Sequence, residues 1–141
     1  MTSAITYSDS GRIDTRLRIS ALWVAMLFVF AYVDLFSLYR PDVRADLEVE
    51  KLSAFDINQT FLFSTTLYIV IPSLMVYLTL VMRPRTNRVA NMIVAAGYGL
   101  TVIGSAVGEW NYYILGSAIE TILLALVIHH AWTWPKATTR P

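Results

Sequence analysis

Hydrophobic residues run along this chain in long blocks rather than in alternation with polar ones. Four blocks stand out: Ile19–Leu38, Phe61–Met82, Val89–Gly108 and Tyr112–Trp134. Each has about the 20 residues a helix needs to cross a hydrocarbon core of about 30 Å. The second is the cleanest, with no charged side chain between Phe61 and Met82. The pattern predicts an all-α, four-helix transmembrane bundle built as a single domain over residues 1–141. The connections between helices two and three, near Arg83–Arg88, and between three and four, near Gly108–Asn111, are short. Both pairs are therefore expected to be antiparallel neighbours.

The one long connection is an outer loop over residues 39–60. In it Val43, Ala45, Leu47 and Val49 alternate with Asp42, Arg44, Asp46, Glu48 and Glu50. A period of two suits a short strand on the membrane surface, and a helical turn fits the same stretch. Asp56 or Asn58 is placed to cap the second spanning helix.

Composition agrees with lipid as the solvent. Of 141 residues, 56% are hydrophobic and 15% charged, where soluble domains carry about 25% charged residues. The first block follows Arg12, Arg16 and Arg18 as a signal peptide would. No small-residue cleavage site follows it, so it is read as a span. Eight of the eleven Lys and Arg residues fall at one membrane face: Arg12, Arg16, Arg18, Arg83, Arg85, Arg88, Lys136 and Arg140. Only Arg40, Arg44 and Lys51 fall at the other. The positive-inside rule then puts both termini of this multi-pass protein in the cytoplasm. The net charge of +1 implies no nucleic-acid partner, and with no cysteine there is neither a thiolate nor a disulfide.

Two carboxylates interrupt the apolar blocks. Charged groups at bilayer depth cost several kcal/mol on insertion scales and usually mark function. Asp34 lies roughly 6 Å below the outer end of helix one, and Glu120 about 12 Å below the outer end of helix four. Glu109 sits at the outer turn between helices three and four. Ser64, Thr65, Thr66, Tyr68, Tyr98, Thr101, Ser105 and Ser117 occur at related depths, whereas Leu74–Val76 and Leu123–Ile128 are plainer. A polar outer half over an apolar inner half describes a dead-end pocket better than a pore. No Lys or Arg falls within a span to pair with either acid; Arg40 and Arg44 are the nearest candidates to fold back onto Asp34. A carboxyl without a partner in low dielectric favours its neutral form, so Glu120 is expected to carry a proton and to donate it.

Other features have plainer readings. Gly97, Thr101, Gly104 and Gly108 form a small-residue face suited to close helix packing, within the bundle or between copies of the chain. Pro72 interrupts the second helix and frees the carbonyl near Tyr68. His129 and His130 are adjacent and lack metal-ligand spacing. No phosphate loop, nucleophile elbow or dinucleotide motif is present, so no metal or cofactor is expected.

The stretches LRISALWVAMLFVFAYVDLFSL, IPSLMVYLTLVMRPRTNRVANMIV and SAIETILLALVIHHAWTW together resemble a family of small four-helix bacterial membrane proteins of unknown function. The resemblance covers most of residues 17–134 and rests on Tyr32-x-Asp34, Ile71-Pro72, Asn87-Arg88-x-x-Asn91 and Ile119-Glu120. It implies the same four-helix fold and places Asp34 and Glu120 in the family pattern. Members carry an acid just before the Ile-Pro pair, where this chain has Val70. The family brings no activity with it.

These observations lead to three expectations. The first is a binder of, or acid–base enzyme for, a lipophilic small molecule held in an outward-facing pocket. Isomerisation, cyclisation or epoxide opening would suit it, with Glu120 and Asp34 as catalytic residues. Tyr32, Tyr68, Tyr98, Glu109 and Ser117 would contact the ligand. The second is a proton- or cation-coupled transporter or channel subunit, working as a homo-oligomer through the Gly97–Gly108 face. The third is a structural protein whose acids meet a partner in the membrane. Apart from membrane lipid, none implies a further resident molecule.

Overall fold

A computed structural model describes residues 13–134. Arg12, Lys136 and Arg140, three of the basic residues used to orient the chain, lie outside them. The described chain is helical apart from one small hairpin. The helices are α1 (Thr15–Ser37), α2 (Pro41–Glu48), α3 (Gln59–Val81), α4 (Pro84–Ser105) and α5 (Asn111–Trp132). Strands β1 (Lys51–Leu52) and β2 (Phe55–Asp56) pair antiparallel between α2 and α3.

Local chemistry sets the boundaries. Asp14 caps α1 by accepting from Arg16 N at 2.9 Å, and Asn58 caps α3 by accepting from Phe61 N at 2.9 Å. Asn58, rather than Asp56, therefore starts the second long helix. Proline opens both α2 and α4, where its missing N–H costs nothing. Helix α4 thus begins five residues earlier than hydropathy predicts, because Arg85 and Arg88 belong to its first turns rather than to the loop. After Ser105 the chain turns through Gly108, whose φ of +82° is a backbone state that suits glycine.

The strand expected over residues 43–50 is not formed; α2 occupies most of that stretch. Val43 and Leu47, four residues apart, are its half-buried residues together with Asp46. The apparent alternation thus resolves into one helical face, with Pro41 and Asp42 starting the helix. The strand pair forms just beyond it, where Phe55 stacks on Phe61 of α3 with ring centroids 6.0 Å apart.

Three helices, α1, α3 and α5, are long and apolar enough to cross a membrane, which marks a membrane protein. Helix α4 is as long but less apolar, since Arg85, Asn87, Arg88 and Asn91 fall in its first half. Around the bundle the order is α3, α1, α5, α4. Helix α5 packs between α1 and α4, α1 also packs on α3, and α3 meets α4 only lightly.

The end of the bundle near Arg83–Arg88 is sealed. Ile19, Trp23 and Met26 of α1, Met75 of α3, Ala95 of α4, and Leu124, Val127 and Ala131 of α5 form a continuous buried core there. A polar chain runs through it. Trp23 Nε1 donates to Asn91 Oδ1 at 2.7 Å, Thr79 Oγ1 donates to the same oxygen at 3.2 Å, and Asn91 Nδ2 donates to Asn87 Oδ1 at 2.6 Å. Asn87 Nδ2 then donates to the Thr79 carbonyl at 2.5 Å. Asn87, Asn91 and Thr79 are all fully buried, so the two asparagines of α4 face the bundle interior. Ser20 and Arg16 donate to the Val76 and Leu80 carbonyls and tie α1 to α3.

Candidate functional site

Toward the hairpin end the same interior stripes lose their cover. On α3 the stripe Pro72, Met75 and Thr79 is buried, yet its continuation through Tyr68, Thr65, Ser64 and Phe61 is half-buried or exposed. On α1 the stripe Ile19, Trp23, Met26 continues through Phe30 to Asp34, and Asp34 is exposed. On α4, Tyr98 and Val102 are buried while Ser105 is open. The bundle is therefore a cup, closed at the arginine end and open at the hairpin end.

Beside this open end lies a cleft of about 630 Å³ between the hairpin and α3, bordered by Phe55, Asp56, Asn58, Ser64, Thr65 and Tyr68; neither Asp34 nor Glu120 lines it. Tyr68 is the lining residue nearest the buried part of α3. Ligand pockets usually measure about 300–1,000 Å³, so the cleft is of useful size.

Glu120 is only 3% exposed. Its carboxylate accepts no hydrogen bond from any described residue; the groups acting on it are its apolar surroundings and the charge of Asp34. Among the described residues, Tyr112 Oη is the one fully sealed side-chain polar atom without a partner. The Glu120 oxygens are therefore unpaired among the described residues, though not completely sealed. The relative depth of the two acids follows from helix packing. Val33 lies so close to Gly116 that a Cβ there would collide with Val33 Cγ2. Asp34 is one residue outward of Val33 and Glu120 four residues inward of Gly116, which at 1.5 Å per residue puts Glu120 roughly 7.5 Å deeper than Asp34. Tyr113, half-buried, lies on the same side of α5 as Glu120, two turns before it.

The other predicted residues divide. Tyr68 and Tyr98 pack as a tilted pair with ring centroids 4.6 Å apart, and Phe30 and Trp23 extend the aromatic cluster on either side. Ser117 is buried beside Glu120 on α5. Tyr32 is placed elsewhere: it is 54% exposed and faces an apolar groove of about 400 Å³ outside the bundle, between α1 and α5. Glu109 is engaged by Arg40, which also pairs with Asp42 at 2.6 Å and lies 4.7 Å over the Trp110 ring. Arg40 therefore does not fold back onto Asp34, and Arg44 makes no ion pair with a described residue. Hydrogen bonds with Asp42 and then Glu109 hold the Arg40 guanidinium well above its ordinary pKa, and Arg40 holds Asp42 below the usual carboxylate value.

Some contributors escape the sequence reading. Phe30 and Tyr113 stand four residues before Asp34 and seven before Glu120, spacings that put each on the face of its acid. The Asn87–Asn91 pair has the same i, i+4 signal. The small-residue face is left open: nothing lies within 4 Å of a Cβ built on Gly97, Gly104 or Gly108. His129 and His130 touch edge to face, and no cluster suited to a metal ion occurs among the described residues.

Residues 11–140 match the family described as a family of unknown function, DUF6326. The chain belongs to that family. Similarity searches find no match among curated proteins and none among solved structures. What DUF6326 proteins do has to be argued from the cup itself.

Proposed function

We propose that this DUF6326 protein binds a lipophilic small molecule in the cup and acts on it by proton transfer, with Glu120 and Asp34 as the working pair. The observation that carries this reading is Glu120: a carboxyl 3% exposed, with no partner among the described residues, on a helix packed against the one that carries a second acid. Buried polar groups are almost always hydrogen-bonded, and an orphaned one costs about 1–3 kcal/mol. A ligand that supplies the missing bond explains why the bundle retains it. In a site shielded from bulk water, two placed carboxyls suffice for isomerisation, cyclisation or epoxide opening. Glu120 donates or accepts at the reacting atom, and Asp34 orients the ligand or takes the second proton. Tyr68 and Tyr98 form the wall; Ser117 adds a hydroxyl.

The reading includes a topology. All four long helices cross the membrane, with the arginine end and both termini in the cytoplasm and the cup opening outward, in a bacterial inner membrane. Helix α4 qualifies despite its composition because Asn87 and Asn91 are turned inward and satisfied. Arg88 at its start lies 5.7 Å over the Trp132 ring at the end of α5, where interfacial side chains belong.

A second reading is favoured by the open Gly97–Thr101–Gly104–Gly108 face. Small residues exposed to lipid let helices of two copies approach closely, so a homo-oligomer using the same acids as a proton or cation relay fits that face.

The test is native mass spectrometry of the protein taken from its own membrane, with Glu120→Gln beside it. A co-purifying lipophile in the wild type, bound but not converted by Glu120→Gln, supports the enzyme reading. Loss of proton- or cation-coupled flux in liposomes, with no conversion in either protein, supports the relay. A wild type that carries no lipophile and shows neither conversion nor flux overturns both.

A further inference from the structure

We infer that the groove between α1 and α5, on the outside of the bundle, holds one phospholipid whose head carries a primary ammonium. Its acyl chain lies along the groove and its head rests against Arg40, Asp42 and Glu109. The site is separate from the cup and does not depend on what the cup binds.

Two hollows that share Phe36 and Tyr112 make up the site. The first, of about 400 Å³, is lined by residues of α1 and α5, none of them charged. Gly116 and Val33, in close contact, form its base. The second, of about 390 Å³, continues past the end of α1 and is bordered by Tyr39, Arg40 and Trp110. Tyr32 lies 6.0 Å from Phe36 and Phe36 lies 6.5 Å from Tyr39, so exposed rings run the length of the α1 side. The surface thus grades in one direction from apolar through aromatic to charged.

That gradient is the profile of a lipid in the leaflet at the hairpin end. Both walls are helices long and apolar enough to cross a membrane, so the groove faces hydrocarbon. From Phe28 to Phe36 its apolar part follows about 12 Å of helix. One leaflet's share of a hydrocarbon core of about 30 Å is roughly 15 Å, so the length suits a single acyl chain. A spanning helix of a second copy would need about twice that length. Trp110, Tyr39 and Tyr112 are of the type enriched where chains give way to head groups.

Charge selects the head. Arg40 donates to Asp42 at 2.6 Å and to Glu109, so one guanidinium faces two carboxylates. The Asp42 and Glu109 side chains are 53% and 33% exposed, against 11% for Arg40. The cluster therefore presents more carboxylate than guanidinium, and no other basic residue lines either hollow. A primary ammonium, with three N–H donors, answers the carboxylates. Arg40 engages these acids through three of its five N–H groups and keeps two for the lipid's phosphate. A head of net negative charge would meet like charge.

The experiment is native mass spectrometry of the full chain in a neutral detergent, titrated with phosphatidylethanolamine and with phosphatidylglycerol of the same acyl chains. The expected result is one phosphatidylethanolamine held at least about tenfold more tightly, a difference of roughly 1.4 kcal/mol. Leu115→Trp, at an exposed position of the groove wall, should weaken both lipids by about tenfold. Asp42→Asn combined with Glu109→Gln should remove the preference between heads while the chain still binds. A phosphatidylethanolamine with a photoreactive chain should label residues 28–36 and 112–119 above the exposed faces of α3 and α4. Several equal adducts of both lipids, with labelling spread evenly over the long helices, overturn the site. Affinity unchanged in Leu115→Trp overturns the groove as the seat of the chain. Preference for phosphatidylglycerol, or a preference for phosphatidylethanolamine that survives the paired acid variant, overturns the assignment of the head. The titration and the labelling of the wild type need no variant to fold.

Discussion

Tyr98 donates its phenolic hydrogen to the backbone carbonyl of Tyr68. That carbonyl is the one Pro72 orphans, because proline has no N–H to return to the residue four before it. Helix α3 runs unbroken through Pro72, and the bond that would have stayed within it is made to α4 instead. Tyr68 completes the link by sharing a hydrogen bond of 2.6 Å with Thr101. Since α3 and α4 otherwise meet lightly, these bonds hold the wall of the cup. Tyr98→Phe should therefore lower the unfolding midpoint in detergent, by about 0.6 kcal/mol if it behaves as an average interhelical bond. An orphaned buried carbonyl would raise the cost to about 1–3 kcal/mol. Adding Pro72→Ala restores a donor within α3 and should recover part of the loss. Additive losses in the double variant would show that the two residues do not share this carbonyl.

The apolar blocks made α1, α3 and α5 legible, because a membrane helix is apolar on all sides and needs no periodicity to be found. Helix α4 was legible only in part. Its Asn87 and Asn91 lower the local hydropathy, yet they face inward and are satisfied by Trp23, 68 residues from Asn91, and by Thr79, 8 residues from Asn87 and 12 from Asn91. Such pairings have no local signature. The acids Asp34 and Glu120 announced themselves as charges within spans, and the packing of Val33 on Gly116 then set their levels. The fate of Arg40 was not legible: three partners compete for it, and the choice of Glu109 depends on how the α4–α5 turn meets the end of α1. Tyr32 failed for a related reason, since two residues' distance from Asp34 on a helix is a rotation of about 200° and turns it to the opposite face.

Asn91 is the member of the buried chain with most to lose. Removing its side chain strips Trp23 Nε1 of its acceptor and leaves Thr79 Oγ1 and Asn87 Oδ1 unpaired. At about 1–3 kcal/mol for an orphaned group, Asn91→Ala should cost on the order of 3 kcal/mol or more. Thr79→Val, which removes one donor at 3.2 Å, should cost distinctly less. Equilibrium unfolding of both variants in the same detergent checks the order, and Trp23 fluorescence should shift only in Asn91→Ala.

Acid should loosen the outer clamp. Arg40 holds Asp42 below its ordinary pKa of 3.8. For a carboxyl depressed on folding, the stabilisation is fully present above the unfolded value and is lost as pH falls through the lower folded value. The Arg40–Asp42 contribution is therefore intact above about pH 5 and fades below pH 4, while Arg40 stays charged throughout. A stability profile between pH 3 and 6 should show a small acid-side decline attributable to this pair. In Asp42→Asn that component should vanish; because Asp42 is exposed and screened, it is a minor one.

Gly116 links stability to the site. A methyl group placed there would collide with Val33 Cγ2, and a β-branched side chain in a helix has little rotamer freedom with which to retreat. Gly116→Ala should therefore push α1 away from α5, at about 1–3 kcal/mol for an overpacked contact. The displacement acts on the residues next to the collision, Asp34 on one helix and Glu120 one turn along the other. Ligand binding should accordingly weaken along with stability. Val33→Ala in the same chain removes the colliding methyl groups and should restore both quantities toward the wild type. Restored stability without restored binding would mean that the spacing of α1 and α5 does not set the geometry of the two acids.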